Sequence, residues 1–159
     1  MKTESIILGL FCIGTIAAGG IIFRTFVLEK IDSEPNIINV DGRMVQIFQS
    51  QRCELKSVIS GDTIICQDGT NVKLCGIKAK ENPQAAAKLQ ELLQGRAVSL
   101  SPMSKNPMIA EVYAEVSSSE ELFVNAEMVR AGLAISDSSQ IDSCLGKPQI
   151  IDAEKGGLF

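Results

Sequence analysis

Histidine and tryptophan are both missing from the 159 residues, and aromatic residues make up only 4%. Without histidine, the usual general base and the usual nitrogen ligand for zinc are gone. Serine or cysteine nucleophiles have no imidazole partner, which excludes a triad. The five cysteines (Cys12, Cys53, Cys66, Cys75 and Cys144) form no CxxC pair, which argues against zinc or dithiol chemistry. A cationic excess is lacking too: the net charge is -4, against the basic footprint of a general nucleic-acid binder. Hydrophobic residues still amount to 45%, so one aliphatic core can form.

The scattered cysteines read as buried free thiols in a reducing compartment. The disulfide alternative is Cys66 facing Cys75 across a hairpin.

One long run carries no charge. Ser5 to Phe23 is apolar apart from hydroxyls and glycines. As a helix, its nineteen residues would span roughly 28 Å at about 1.5 Å each, close to a bilayer core. The apolar character resumes directly after Ala18-Gly19-Gly20, which favours a retained anchor over a cleaved signal peptide. Gly14 and Ala18 offer a small-residue face to another helix. Arg24, Lys30 and Arg43 outnumber Lys2, which weakly sets the C-terminal part on the cytoplasm-, matrix- or stroma-like side. The expected organisation is a transmembrane helix within 1–28, a polar tether over 29–52 with Pro35 and Gly42, and one domain over 53–159.

Within that domain, Cys53–Ser60 alternates apolar and polar residues, as a strand does. Thr63–Cys66 is a second strand, Asp68-Gly69 a hairpin turn, and Val72–Ile77 a third strand. Asn82-Pro83 then opens a helix that buries Ala86, Leu89, Leu92 and Leu93 and stops at Gly95. Two strands follow, Ala97–Leu100 and Met108–Val116. A loop with Ser117-Ser118-Ser119 leads to a helix over Val124–Arg130, stopped by Gly132, and a last helix covers Pro148–Lys155. Five short strands with a helix after the third predict an α+β chain built on an OB-fold barrel.

Three stretches carry a resemblance: Val58-Ile59-Ser60-Gly61-Asp62-Thr63-Ile64, Val72-Lys73-Leu74-Cys75-Gly76-Ile77-Lys78-Ala79-Lys80-Glu81, and Phe123-Val124-Asn125-Ala126-Glu127-Met128-Val129-Arg130-Ala131-Gly132-Leu133-Ala134. Together with Ala153-Glu154-Lys155 and Gly157-Leu158-Phe159, they make residues 53–159 resemble the staphylococcal-nuclease-like family. That family uses an OB barrel, a calcium ion, a water-activating carboxylate and two arginines to cleave phosphodiesters.

Carried over by resemblance, Asp62 matches one metal ligand and Glu81 the water-activating carboxylate. Ala79 falls where a backbone carbonyl is supplied. The remaining positions depart from the pattern. Lys73 replaces the first arginine and Pro107 the second, while Lys78 replaces the other metal-binding aspartate and Lys80 a proline. A lysine has no bidentate fork. Lys78 also puts a cation at the cation site, where like charges about 4 Å apart repel by roughly 4 kcal/mol at an effective dielectric near 20.

The expectation is therefore no catalysis and no bound metal or cofactor. Asp62 and Glu81 should pair with Lys73 or Lys78 as solvated ion pairs. Asn125 should tie its helix start to nearby backbone, and Tyr113 should be a barrel residue. The resulting reading is a catalytically inactive, membrane-anchored nuclease-like domain, serving as an accessory subunit of a larger membrane complex, respiratory or photosynthetic among others. Its partners would be the membrane and other subunits. The alternatives are an anchored calcium-dependent nuclease and a non-catalytic nucleic-acid-binding OB module.

Overall fold

A computed structural model describes residues 12–17, 20–25 and 35–156, with side chains over 35–156. These residues fall into two compact units, divided between Asp32 and Ser33.

In the first unit, β1 (Cys12–Ala17) and β2 (Gly20–Thr25) pair antiparallel, Cys12 opposite Thr25 and Ala17 opposite Gly20. This corrects the helix expected there. Ile13, Thr15, Ile16, Ile21 and Ile22 are β-branched and suit a pleated ladder. The rest of the apolar run lies outside the described residues. Among those described, no helix is long and apolar enough to cross a membrane.

The second unit starts with a hairpin inside the segment read as a tether. β3 (Asn36–Val40) and β4 (Arg43–Ile47) pair through a turn in which Asp41 and Gly42 both have positive φ. Asn39 Oδ1 accepts from the Gly42 N–H. Val45 is wholly buried, with Ile38, Val40 and Ile47 packed beside it. Burial alternates along both strands, but the sequence masks it because two outward positions, Ile37 and Met44, are apolar yet exposed.

The barrel strands are β5 (Gln51–Cys53), β6 (Leu55–Ser60), β7 (Thr63–Cys66), β8 (Asn71–Leu74), β9 (Ile77–Ala79), β10 (Val98–Lys105), β11 (Met108–Ser117), β12 (Glu120–Phe123) and β13 (Ala134–Ser136). The main sheet runs β5-β10-β11-β8-β7-β6, with β12 added to β11. Its two ends, β5 and β6, are separated only by Glu54, so the sheet curls into a partial barrel. β8 and β11 are parallel and the other pairs are antiparallel, which makes the sheet mixed. β13 pairs separately with β9.

Several expectations shift by a physical cause. Register shifts in the β6–β7 pair bring Val58 against the core and leave Ile59 57% exposed, breaking the simple alternation read over Cys53–Ser60. The third expected strand divides into β8 and β9 at Gly76, whose φ of 72° ends the extended run. β10 continues past Leu100 to Lys105 because it pairs with β11 along its length.

Three helices complete the α+β fold: α1 (Pro83–Leu93), α2 (Val124–Arg130) and α3 (Lys147–Gly156). Asn82 Oδ1 caps α1 by accepting from the Gln84 N–H at 2.8 Å. Its buried face holds Ala85, Leu89, Leu92 and Leu93, so Ala85 takes the place expected of Ala86.

The four cysteines whose side chains are described are not free thiols: Cys53 bonds to Cys66, and Cys75 bonds to Cys144 across 69 residues. Cys75 does not pair with Cys66, the alternative across the hairpin, and lies in a second small core with Val45, Met103 and Cys144.

Candidate functional site

Asp62 sits in the turn between β6 and β7. Its Oδ1 accepts from Ser60 Oγ at 2.7 Å and Thr63 Oγ1 at 3.1 Å, while its Oδ2 accepts from the Ala79 N–H at 3.3 Å. The two oxygens therefore hold the turn and the end of β9. The approach of α1 explains the preceding residue. A Cβ on Gly61 would lie 2.5 Å from Ala85 Cβ and 2.9 Å from Ala79 Cβ. Only glycine lets the helix pack this close to the turn.

The five sequence-derived positions divide between two open depressions. One, of about 360 Å³, is lined by Asp62, Lys78 and Glu81, together with Ile59, Lys80 and Pro83. The other, of about 660 Å³, is lined by Lys73 and Pro107, together with Thr63, Asn71, Lys105 and Asn106. Lys105 also stacks over the Phe48 ring, 5.0 Å from its centroid. Pro107 is exposed in the β10–β11 turn and follows a cis peptide bond.

Among the described residues, neither Asp62 nor Glu81 forms an ion pair with Lys73 or Lys78, contrary to the expected cluster. Ion pairs are seen elsewhere, for example Lys88–Glu91, Arg130–Glu127 and Lys147–Asp142. A carboxylate in the field of both lysines is Asp137, just after β13. Its carboxyl is held below the usual range, first by the Ser139 hydroxyl and then, more weakly, by the charges of Lys73 and Lys78. Sequence reading missed Asp137, although Asp137-Ser138-Ser139 is a recognisable aspartate-turn pattern.

Calcium, which the resemblance implies, does not fit this donor set. Asp62 has both oxygens engaged, and an ammonium lines the same depression. Among the described residues, no three carboxylate or sulfur side chains converge as a metal-binding group. What remains can orient a turn and present mixed charge to water.

A second polar group lies behind the sheet. Asn125, fully buried at the start of α2, donates to the Cys75 carbonyl at 2.8 Å and accepts from the Val112 N–H at 2.9 Å. This is the tie expected of it. Glu111 is also fully buried. It accepts from the Gly146 N–H and, at 2.9 Å, from the Tyr113 hydroxyl. Burial pushes the Glu111 carboxyl up, while these donors act in the opposite sense. Burial also pushes the Tyr113 hydroxyl up, and the neighbouring Glu111 charge adds to the effect. Tyr113 is half-buried and stacks on Phe123 with centroids 5.1 Å apart. Tyr113 lies on β11 of the curled sheet, as expected of a barrel residue, while the wholly buried core positions of that strand are its alternate neighbours Ala110, Val112 and Ala114. Glu111 was legible only as a charge inside the apolar run Met108–Val116.

No family model and no curated protein matches this chain.

Proposed function

We propose that residues 33–159 form a non-catalytic OB-fold domain of the staphylococcal-nuclease-like kind, serving as an accessory or structural subunit that the apolar run Ser5–Phe23 holds at a membrane. Support for the fold comes from β8 pairing parallel with β11 and from β5 and β6 acting as one bent strand at the two ends of the sheet.

One observation carries the functional reading. Asp62, one of the two carboxylates that match the pattern, uses both oxygens to hold its own turn and Ala79, with Lys78 lining the same depression. Lys73 and Pro107 line a different depression, and Pro107 brings no charge. A phosphoryl-transfer site needs cationic groups aimed at one point where charge develops. Here the groups are dispersed or replaced. The two disulfides favour an oxidising compartment for the domain, and the reducing-side reading loses the free thiols it rested on.

Incubating the full-length chain in mild detergent with single-stranded DNA and with RNA, plus calcium, tests the reading. We expect no products above the buffer control. Calcium-dependent products would sustain the nuclease alternative instead. Alkaline washing of membranes should leave the chain in the pellet, and purification from them should retain a stoichiometric partner. Release by the wash, or a partner-free monomer, would contradict the anchor or the subunit role respectively.

A further inference from the structure

We propose that the β3–β4 hairpin is a lid over the Cys75–Cys144 bond, which a thiol reductant reaches only when the hairpin lifts, whereas Cys53–Cys66 has no such cover. The device goes beyond the non-catalytic reading and does not depend on it.

Cys75 and Cys144 are both 0% exposed. Gly76 and α3 close in on the bond: a Cβ on Gly76 would lie 2.9 Å from Cys144 Sγ and 3.2 Å from Ile150 Cδ1. The hairpin supplies another wall. Val45, wholly buried, belongs to the same small core as the two cysteines, and Ile38, Val40 and Ile47 pack against that core. Ile38 stands opposite Val45, and Val40 and Ile47 follow each at a spacing of two, so all four come from one face of the hairpin. That face provides most of the apolar side chains around the bond. The Arg43 guanidinium then clamps the lid. It donates to the Asp142 carbonyl at 3.0 Å and to the Cys144 carbonyl at 3.2 Å, fastening β4 to the backbone that carries Cys144.

The lid is also separable from the barrel. Among the described residues, β3 and β4 form a two-stranded sheet of their own. The Phe48 N–H, just after β4, donates to the Pro102 carbonyl of β10 at 3.1 Å. A lone two-stranded hairpin is marginally stable in water, so this one owes its place to the apolar face and the Arg43 clamp. Lifting it breaks no strand pair of the main sheet. Segments held in this way open locally at a lower free energy than the whole domain unfolds.

The second bond offers the contrast. Cys66 borders an open depression of about 230 Å³, beside Arg52, Glu54, Gln67 and Asp68. A reductant therefore meets Cys53–Cys66 from solvent and Cys75–Cys144 only past the hairpin. With a dithiol the step balances as follows. One thiolate attacks a protein sulfur and forms a mixed disulfide, and the other protein sulfur leaves as a thiolate and takes up a proton. The reagent's second thiolate displaces the remaining cysteine. The protein bond gains two electrons and two protons, and the dithiol becomes a disulfide.

The test is a time course of reduction by dithiothreitol, on the full-length chain in mild detergent. Acid quenching, alkylation and peptide mass spectrometry follow each bond by its initial rate. We expect Cys53–Cys66 to open at least about tenfold faster than Cys75–Cys144. Val45→Ala, which thins the lid, and Arg43→Ala, which removes its clamp, should each speed the opening of Cys75–Cys144 about threefold to tenfold. Cys53–Cys66 should stay within about twofold of the parent in both variants. In the parent, urea below the unfolding midpoint should speed Cys75–Cys144 with less than about half the slope of global unfolding followed by circular dichroism, since only the hairpin is exposed. A slope equal to that of global unfolding would overturn the proposal, and this measurement needs no variant to fold. So would Cys75–Cys144 opening first, a rate unchanged in both variants, or equal acceleration of the two bonds.

Discussion

Around Asp62, Lys78 and Glu81 the polar groups meet water, and each could be exchanged without burying a bare charge. Around Asn125 and Glu111 there is no water to replace a lost partner, since both side chains are fully buried. Every hydrogen bond of Asn125 joins separate parts of the chain: α2 to the end of β8, and α2 to β11. Glu111 joins β11 to the backbone at Gly146, next to the segment that Cys144 anchors. The difference teaches where side-chain identity is demanded in this protein. It is demanded behind the sheet, where elements are fastened together, and relaxed at the mouth, where a reaction would have to occur.

The largest expected effect comes from the Cys75–Cys144 bond. It closes 69 residues, whereas Cys53–Cys66 closes 13. In the chain-entropy picture, removing the first by paired alanine substitutions should cost about 4 kcal/mol, and removing the second about 3 kcal/mol. Denaturant unfolding of the two variants gives the order, and a larger loss for Cys53–Cys66 would refute the ranking.

Asn125→Ala comes next. It leaves the Cys75 carbonyl and the Val112 N–H buried without partners, at about 1–3 kcal/mol for each unsatisfied group. Asp62→Ala, at the mouth, should cost about 1 kcal/mol or less, because water can reach the Ser60 and Thr63 hydroxyls. Comparable losses for these two variants would erase the contrast between the regions.

Gly61→Ala falls between them. The new Cβ would press on Ala85 and Ala79, costing about 1–3 kcal/mol by overpacking. A neutral result by thermal unfolding would show that α1 is free to move away from the turn.

The smallest effect is a change of slope with pH. Burial raises the Glu111 carboxyl in the folded state, so its contribution is greatest in acid and is lost as pH rises through the native value. Asp68, Asp137 and Asp142 are lowered by hydrogen bonds or lysine neighbours and contribute the reverse, stability that is lost as pH falls. Glu111→Gln removes the one opposing group in this set. Its melting temperature should fall more steeply on acidification than that of the parent, and parallel profiles would contradict the sign.

Local signals carried much of the fold. Asn82-Pro83 marked the start of α1, Asp68-Gly69 the β7–β8 turn, and Val124–Arg130 the whole of α2, because caps, turns and helical spacing act within a few residues. Long-range pairing was less legible. Which cysteine meets which depends on bringing residue 144 to residue 75, and no spacing rule specifies that. The β3–β4 hairpin was hidden because its ladder is short and its turn, Asp41-Gly42, lies in a polar stretch read as linker. At the site, residue identity gave the loss of the arginines and the intrusion of Lys78. It could not give the division into two depressions, which depends on how β8 lies beside β11, or the position of Asp137, which follows from how β9 and β13 pair.

The central claim, that the Asp62 turn holds structure and not a reactive metal, is tested most directly by thermal unfolding of the full-length chain across a calcium titration. An ion bound only by the folded state raises the melting temperature with concentration, by about 2.7 kcal/mol of stability at a hundredfold excess over its dissociation constant. The account predicts no calcium-dependent rise beyond that produced by the same ionic strength of sodium chloride. A saturable rise that disappears in Asp62→Ala would contradict it.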